Sequence, residues 1–183
     1  MADRGRLIVL SGPSGAGKTS VVQALKTDPR VVFSVSATTR PMRGGERDGV
    51  DYHFLSREEF DDRLERGEFL EWAEYNNNAY GTLRGPMEEA LASGHTFVLE
   101  IEVDGTKQLR DQGVEGQFVF LVPPSLDALR QRLADRGQNT PEDIEQRLAI
   151  AKREMEAAPL YDHVVENHEL ERTVAEVKRL IGL

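Results

Sequence analysis

Residues 6–10 (RLIVL) form a short apolar, partly β-branched run; SGPSGAGKT follows at once, and SVVQALK then carries apolar residues at helical spacing. Gly12-Pro13-Ser14-Gly15-Ala16-Gly17-Lys18-Thr19 fits the pattern G-x-x-x-x-G-K-[ST], and it stands between a strand and a helix, where its chemistry requires it. Glycines let successive backbone N–H groups turn inward around a phosphate, and the N-terminus of the following helix adds positive potential. Lys18 can reach the β- and γ-phosphates of a nucleoside triphosphate, and Thr19 can offer its hydroxyl to Mg²⁺. A nucleoside triphosphate held by residues 12–19 is therefore the first expected ligand.

The rest of the chain continues the alternation. Strands are expected at 31–36 (VVFSVS), 96–101 (TFVLEI), 118–122 (FVFLV) and 163–167 (HVVEN). Helices are expected at GPMEEALASG, around TKQLRDQG and at ELERTVAEVKRLI, with Gly94 suited to a helix C-terminus. Apolar strands alternating with helices imply an α/β fold with a parallel sheet covered on both faces. Two segments interrupt the pattern. Residues 37–82 hold turn signals, a capping-box helix start at Ser56–Glu59, a stop at Gly67 and the aromatic run FLEWAEY, together a small α+β lobe. Residues 125–157 hold two helices, the second opened by Thr140 and Pro141, a hairpin suited to be a lid. No repeat or low-complexity linker separates these parts, so both read as insertions on one core.

Composition excludes several chemistries. The 183 residues contain no cysteine, which removes thiol nucleophiles and cysteine-ligated zinc, and the four histidines have no metal-ligand spacing. They read as structural or solvated, and Trp72, with Phe69 and Leu70, as lobe core. No stretch approaches the roughly 18 apolar residues of a membrane span, and the apolar run before Gly12 is too short for a signal peptide, so a cytoplasmic location is expected. A net charge of -9 argues against a nucleic-acid partner. Yet 18 of the 23 basic residues are Arg, the side chain whose planar fork grips phosphate through paired hydrogen bonds. Arg40, Arg43 and Arg47 cluster beside Gly44-Gly45. Where a second phosphate accepts the γ-phosphoryl group, two anions must approach each other, and several cations have to stand between them. Such a reaction needs no strong general base, because a phosphate monoester with a second pKa near ~6 is already ionised at pH 7.

Over essentially its whole length the sequence resembles the guanylate kinase family. The matching stretches are SGPSGAGKTS, SVSATTRPMRGGERDGVDYHF, GEFLEWAEY, Tyr80-Gly81-Thr82, LEIEVDG, FLVPPS, the lid and VVEN. The resemblance implies a three-layer P-loop kinase with a five-stranded mainly parallel core sheet, an inserted α+β GMP-binding lobe and a helical lid. The whole of 1–183 would be one domain, with core 1–36, 91–124 and 151–183, lobe about 37–90 and lid about 125–150. It implies transfer of the γ-phosphoryl group of ATP to GMP, giving ADP and GDP in purine nucleotide metabolism, with Mg²⁺ as cofactor. Use of dGMP as an alternative acceptor is left open.

By the same resemblance Ser36, Arg40, Arg43, Tyr52 and Tyr80 look like the residues that hold the GMP phosphate. Glu71 and Glu102 look like the acids that read guanine, with Thr82 and Ser36 able to donate to its O6. The chemistry is apt: guanine presents N1–H and N2–H₂ as neighbouring donors, and a carboxylate facing that edge selects it. Glu100 closes an apolar strand, the position of an acid that orients Mg²⁺-bound water, and it is grouped with the GMP-binding residues as well. The family commonly has Asp where Glu100 and Glu102 stand. In the lid, Arg132, Arg136 and Arg147 look like the arginines that close over the transferred group, and Asn167 matches a position near the donor nucleotide.

Three other readings remain at this stage. A guanylate-kinase-like interaction module would keep the fold, but such modules generally lack a working phosphate loop, whereas Gly17, Lys18 and Thr19 all stand here. A regulatory GTPase would need an N-K-x-D guanine-reading motif, and none follows the fourth strand. A kinase of another phosphorylated small molecule would share the core and differ at Glu71, Tyr80 and Glu102.

Overall fold

The structure, a computed structural model, describes residues 5–135, 137 and 139–183. Strand β1 (Leu7–Ser11) is buried along its whole length. Because successive strand side chains point to opposite faces, Leu7 and Val9 enter one core, and Ile8 and Leu10 enter another. Parallel neighbours β7 (Thr96–Glu100) and β8 (Gln117–Val122) flank it, with β2 (Val31–Phe33) and β9 (His163–Glu166) outside them. The five-stranded sheet thus has the order β2-β7-β1-β8-β9 and is parallel throughout.

Helices α3 (Arg84–Ala92) and α4 (Val103–Asp111) cover the first face, setting Met87, Ala90 and Leu109 against Leu7, Val9, Phe97 and Phe118. Helices α1 (Lys18–Leu25) and α7 (Leu170–Ile181) cover the second, with Val21, Leu25, Val177 and Ile181 against Ile8, Leu10 and Val119. Each such side chain contributes about 1.5–3 kcal/mol when fully buried, and the two layers bring the C-terminal ends of all five strands to one crevice. No described helix is long and apolar enough to cross a membrane.

The strand expected at 31–36 is two strands. β2 ends at Phe33, and Ser34 makes a last bond to Val98 before the chain leaves the core. Ser36–Thr38 is then β3 of a second sheet, where it pairs antiparallel with β6 (Asn78–Leu83). Alternation within VVFSVS carries no record of which distant strand each residue pairs with. β4 (His53–Phe54) and β5 (Phe69–Tyr75) complete the second sheet in the order β4-β3-β6-β5. Asn76 and Asn77, both at positive φ, make the tight turn between β5 and β6, the conformation that suits the twist of a hairpin.

One face of this sheet is covered by α2 (Arg57–Glu65). The helix starts with the expected capping box: Glu59 N–H donates to Ser56 Oγ at 3.1 Å, and Ser56 N–H donates to the Glu59 carboxylate at 2.8 Å. Phe60 stacks on Phe69 at 4.3 Å between centroids and meets the edge of Trp72 at 6.4 Å, so Phe69 and Trp72 are lobe core as expected, whereas Leu70, expected with them, belongs to the main core. Phe69 and Trp72 could not both face Phe60 in a regular strand. A register shift between Phe69 and Glu71 resolves this, turning Leu70 into the main core and Glu71 to the opposite side from Trp72.

The hairpin after β8 consists of α5 (Leu126–Asp135) and α6 (Pro141–Met155), the latter opened by Thr140 in a capping box with Asp143. Leu129, Leu133, Leu148 and Ala151 give it a small core of its own. Phe60 has no exposed surface, so Phe60→Ala is expected to lower the free energy of unfolding by about 3–5 kcal/mol, read from the urea denaturation midpoint.

Candidate active site

The glycine loop leaves β1 at the strand's C-terminal end and curls under the lid. Gly15 and Gly17 lie at φ +84° and +93°, and a Cβ on Gly17 would clash with Asn167 Nδ2. No side chain caps the N-terminus of α1 at Gly17, and no acidic residue occupies its first turn, which leaves its N–H groups available to an anion. Lys18 Nζ folds over the loop and donates to the carbonyls of Gly12 (2.5 Å) and Pro13 (3.3 Å). Thr19 is exposed on the first turn. Glu100 ends β7 in register with Leu10 of β1, so it stands beside the start of the loop. Burial raises its carboxyl above the usual glutamate range, and the Lys18 charge opposes that shift.

Asn167 braces this region. Its Nδ2 donates to the carbonyl of Ala16 at 2.7 Å, its Oδ1 accepts from Thr173 at 3.0 Å, and its backbone oxygen accepts from Arg132 of the lid at 2.5 Å. The buried side chain thus touches the loop itself, and one residue links loop, lid and α7.

A cavity of about 610 Å³ opens between the two sheets, and its lining includes Ser36, Tyr52, Glu71, Tyr80, Glu100 and Glu102. Strand register explains the convergence. Ser36 lies opposite Thr82, and Thr82 opposite Glu71, one row across three strands; Thr38, Tyr80 and Ala73 form the next row. Residues two apart share a face, so Ser36, Tyr80, Thr82 and Glu71 all lie on the side away from α2. Thr82 is buried beside the cavity and donates to Glu71 Oε1 at 2.7 Å. Burial raises the Glu71 carboxyl above its ordinary value, and the Thr82 hydrogen bonds only partly counter this. A smaller cleft of about 290 Å³ on the lobe, among Arg63, Glu68 and Arg84, contains none of the expected residues.

Within the arginine loop, Arg40 is already engaged by other side chains of the protein. Arg40 packs over the rings of Tyr52 and Phe54, at 5.4 and 5.7 Å, and Tyr52 meets Tyr80 edge-on at 6.2 Å. Its guanidinium is engaged by Glu46 through two hydrogen bonds, of 2.7 and 3.1 Å. Glu46 also accepts from the Arg43 backbone N–H at 2.7 Å, and this arginine pairing holds its carboxyl below the usual range. Sequence reasoning missed Glu46; its signal is the single acid between Arg43 and Arg47 in a glycine-rich turn. Arg43 and Arg147 are exposed and do not line the cavity, and Arg136 lies outside the described residues.

A family model described as guanylate kinase matches residues 4–182. The chain belongs to the guanylate kinase family. It is 49% identical to a guanylate kinase of Halalkalibacterium halodurans over 98% of this chain and 88% of that protein, and 48% identical to one of Symbiobacterium thermophilum over 97% and 85%. Among solved structures it is similar to the guanylate kinase of Anaplasma phagocytophilum, with a TM-score of 0.74 and 31% identity, covering 98% of this chain and 86% of that one.

Within this guanylate kinase fold the raised pKa of Glu71 has a consequence for stability. Its protonated form is favoured by the native state below the ordinary value of 4.5, and that contribution is lost as pH rises through the raised native value. Glu71→Gln is therefore expected to raise the melting temperature of the ligand-free protein at neutral pH, with the gain vanishing below the ordinary glutamate value, checked by thermal melts across pH.

Proposed function

We infer that this chain transfers the γ-phosphoryl group of ATP to GMP, giving ADP and GDP. The observation that carries this reading is the row Ser36, Thr82 and Glu71 facing a cavity whose other wall, Glu100, adjoins the phosphate loop. The Glu71 carboxylate in that cavity suits a base with neighbouring donors, and the lining also includes Tyr80 and Tyr52, over whose ring Arg40 packs. The division into core 1–36, 91–124 and 151–183, GMP lobe about 37–90 and lid about 125–150 belongs to the same proposal.

In this reading the glycine loop, whose Pro13 has no N–H to offer, directs its remaining free backbone N–H groups and those of the first turn of α1 at the donor's β-phosphate, and Lys18 leaves the Gly12 and Pro13 carbonyls to neutralise charge at the β- and γ-phosphates. Ser36, Tyr52 and Tyr80 bind the acceptor phosphate, with Arg40 released from Glu46 in exchange for a dianion and Arg43 swung in from solvent. A terminal acceptor oxygen, already ionised, attacks the γ-phosphorus while the bond to the β,γ-bridging oxygen breaks, so no protein base is required. Arg132, Arg136 and Arg147 contribute cations from the lid, and Asn167 serves the donor side by bracing the loop. Thr19 and Glu100 are the Mg²⁺ residues, the former directly and the latter through water. One hydroxyl and one carboxylate fit this ion, which usually keeps phosphate oxygens and waters in most of its shell. When bound it would neutralise charge on the β- and γ-phosphates. Glu102 and Thr82 complete the base site beside Glu71.

Lys18→Ala is expected to fold, since the side chain lies over a loop and outside both cores, and to lose phosphoryl transfer by roughly 10²-fold or more in a coupled ADP assay. Unimpaired turnover would remove the donor-site assignment. Among acceptors, AMP presents a lone pair at N1 and no N2 amine, so it should be rejected by roughly 10⁴-fold relative to GMP. IMP lacks only the amine and should lose on the order of 1–3 kcal/mol. Glu71→Gln should reduce kcat/KM for GMP more than for IMP. Identical ratios in parent and variant would assign the base reading to other groups.

A further inference from the structure

The lobe sheet ends at β5, whose outer edge would normally leave backbone groups without partners. Here α4 of the core supplies them. Gln108 Oε1 accepts from the Trp72 backbone N–H at 3.1 Å, and Gln108 Nε2 donates to the Trp72 carbonyl at 2.8 Å. One helical turn on, Gln112 Nε2 donates to the Leu70 carbonyl at 2.9 Å. Glu71 lies between Leu70 and Trp72, so the peptide units on both sides of it are held by one helix. Gly105 lies on the same face of α4, one turn before Gln108. A Cβ there would come within 2.9 Å of Glu71 Oε2.

We propose that Gln108, with Gly105 and Gln112, positions Glu71, making this face of α4 a determinant of acceptor-base selectivity. The need arises locally. The register shift between Phe69 and Glu71 turns Glu71 toward the cavity, and it also leaves this part of β5 less fully specified by its pairing with β6. Thr82 fixes one carboxylate oxygen. Two adjacent donors on a base must meet both oxygens in one plane, so the backbone that carries Glu71 has to be fixed as well. The Gln108 amide does this by reproducing the donor and acceptor of a missing strand, and the bare Cα of Gly105 leaves room for the second oxygen. Gln108 touches no reacting atom; it acts through Glu71. The inference rests on the reading of Glu71 as the group that faces the guanine N1/N2 edge.

The test compares the parent with Gln108→Ala, Gln108→Met and Gly105→Ala, measuring kcat and KM for GMP, IMP and ATP beside melting temperature. Met fills nearly the space of Gln without either hydrogen bond, so it separates the bonds from the packing. Both Gln108 variants are expected to lower the GMP-over-IMP ratio of kcat/KM by about tenfold, the equivalent of about 1.4 kcal/mol, chiefly through KM for GMP. KM for ATP should stay within about twofold, because the phosphate loop is untouched. Gly105→Ala should lower the same ratio by crowding Glu71 directly, and it decides the question should the Gln108 variants fail to fold. An unchanged ratio in the folded variants, or equal losses for GMP, IMP and ATP, overturns the proposal. A parent that does not distinguish GMP from IMP overturns both this proposal and the reading of Glu71; a parent that does, beside variants that still do, overturns this proposal alone.

Discussion

The uncapped N-terminus of α1 is the constraint on which the rest of the structure depends. The first turn of α1 has no side-chain cap, and the loop before it uses left-handed glycines. Unpaired donors destabilise a fold wherever water cannot reach them, so the frame around them must be stiff. It is made stiff by a fully buried central strand on one side and by the buried amide of Asn167 on the other. The bond from Arg132 to the Asn167 carbonyl then ties the lid to the same brace. The anion site is thus built into the junction of three elements, and no single loop could maintain it alone.

Charge is distributed to match. A chain with net charge -9 has to hold two phosphorylated ligands, which it can do because interactions between exposed charges are screened beyond about 8 Å at physiological ionic strength. What matters is the local sign. Arg40 and Lys18 are both held by partners within the protein, Glu46 in one case and loop carbonyls in the other. Carboxylates line the cavity, where Glu71 and Glu100 are partly desolvated and their ionised forms disfavoured. Neighbouring N–H donors would relieve that desolvation, whereas a lone-pair acceptor would not.

Much of this was legible from local pattern. The strand, glycine loop and helix of residues 6–26, the capping boxes at Ser56 and Thr140, and the stop at Gly67 each follow from backbone rules acting within a few residues. The alternation of apolar strands with helices foretold a sheet covered on both faces, and the order of the motifs carried the family. By contrast VVFSVS read as one strand, because nothing in its alternation marks the change of sheet at Ser34. Glu46, Gln108 and Gly105 went unread, since each owes its role to a side chain or backbone it meets only after folding.

The sequence by itself determined the glycine loop between strand and helix, since G-x-x-x-x-G-K-T acts through its own backbone and the helix that follows it. It also determined the alternation that makes a parallel α/β core. Only the tertiary structure decided which side chains meet at the cavity between the two sheets. Ser36, Thr82 and Glu71 meet through antiparallel register between strands distant in the chain, and a bulge in β5 selects the face on which Glu71 emerges. Register depends on pairing partners and on the burial of the opposite face against α2, and a stretch read alone contains neither.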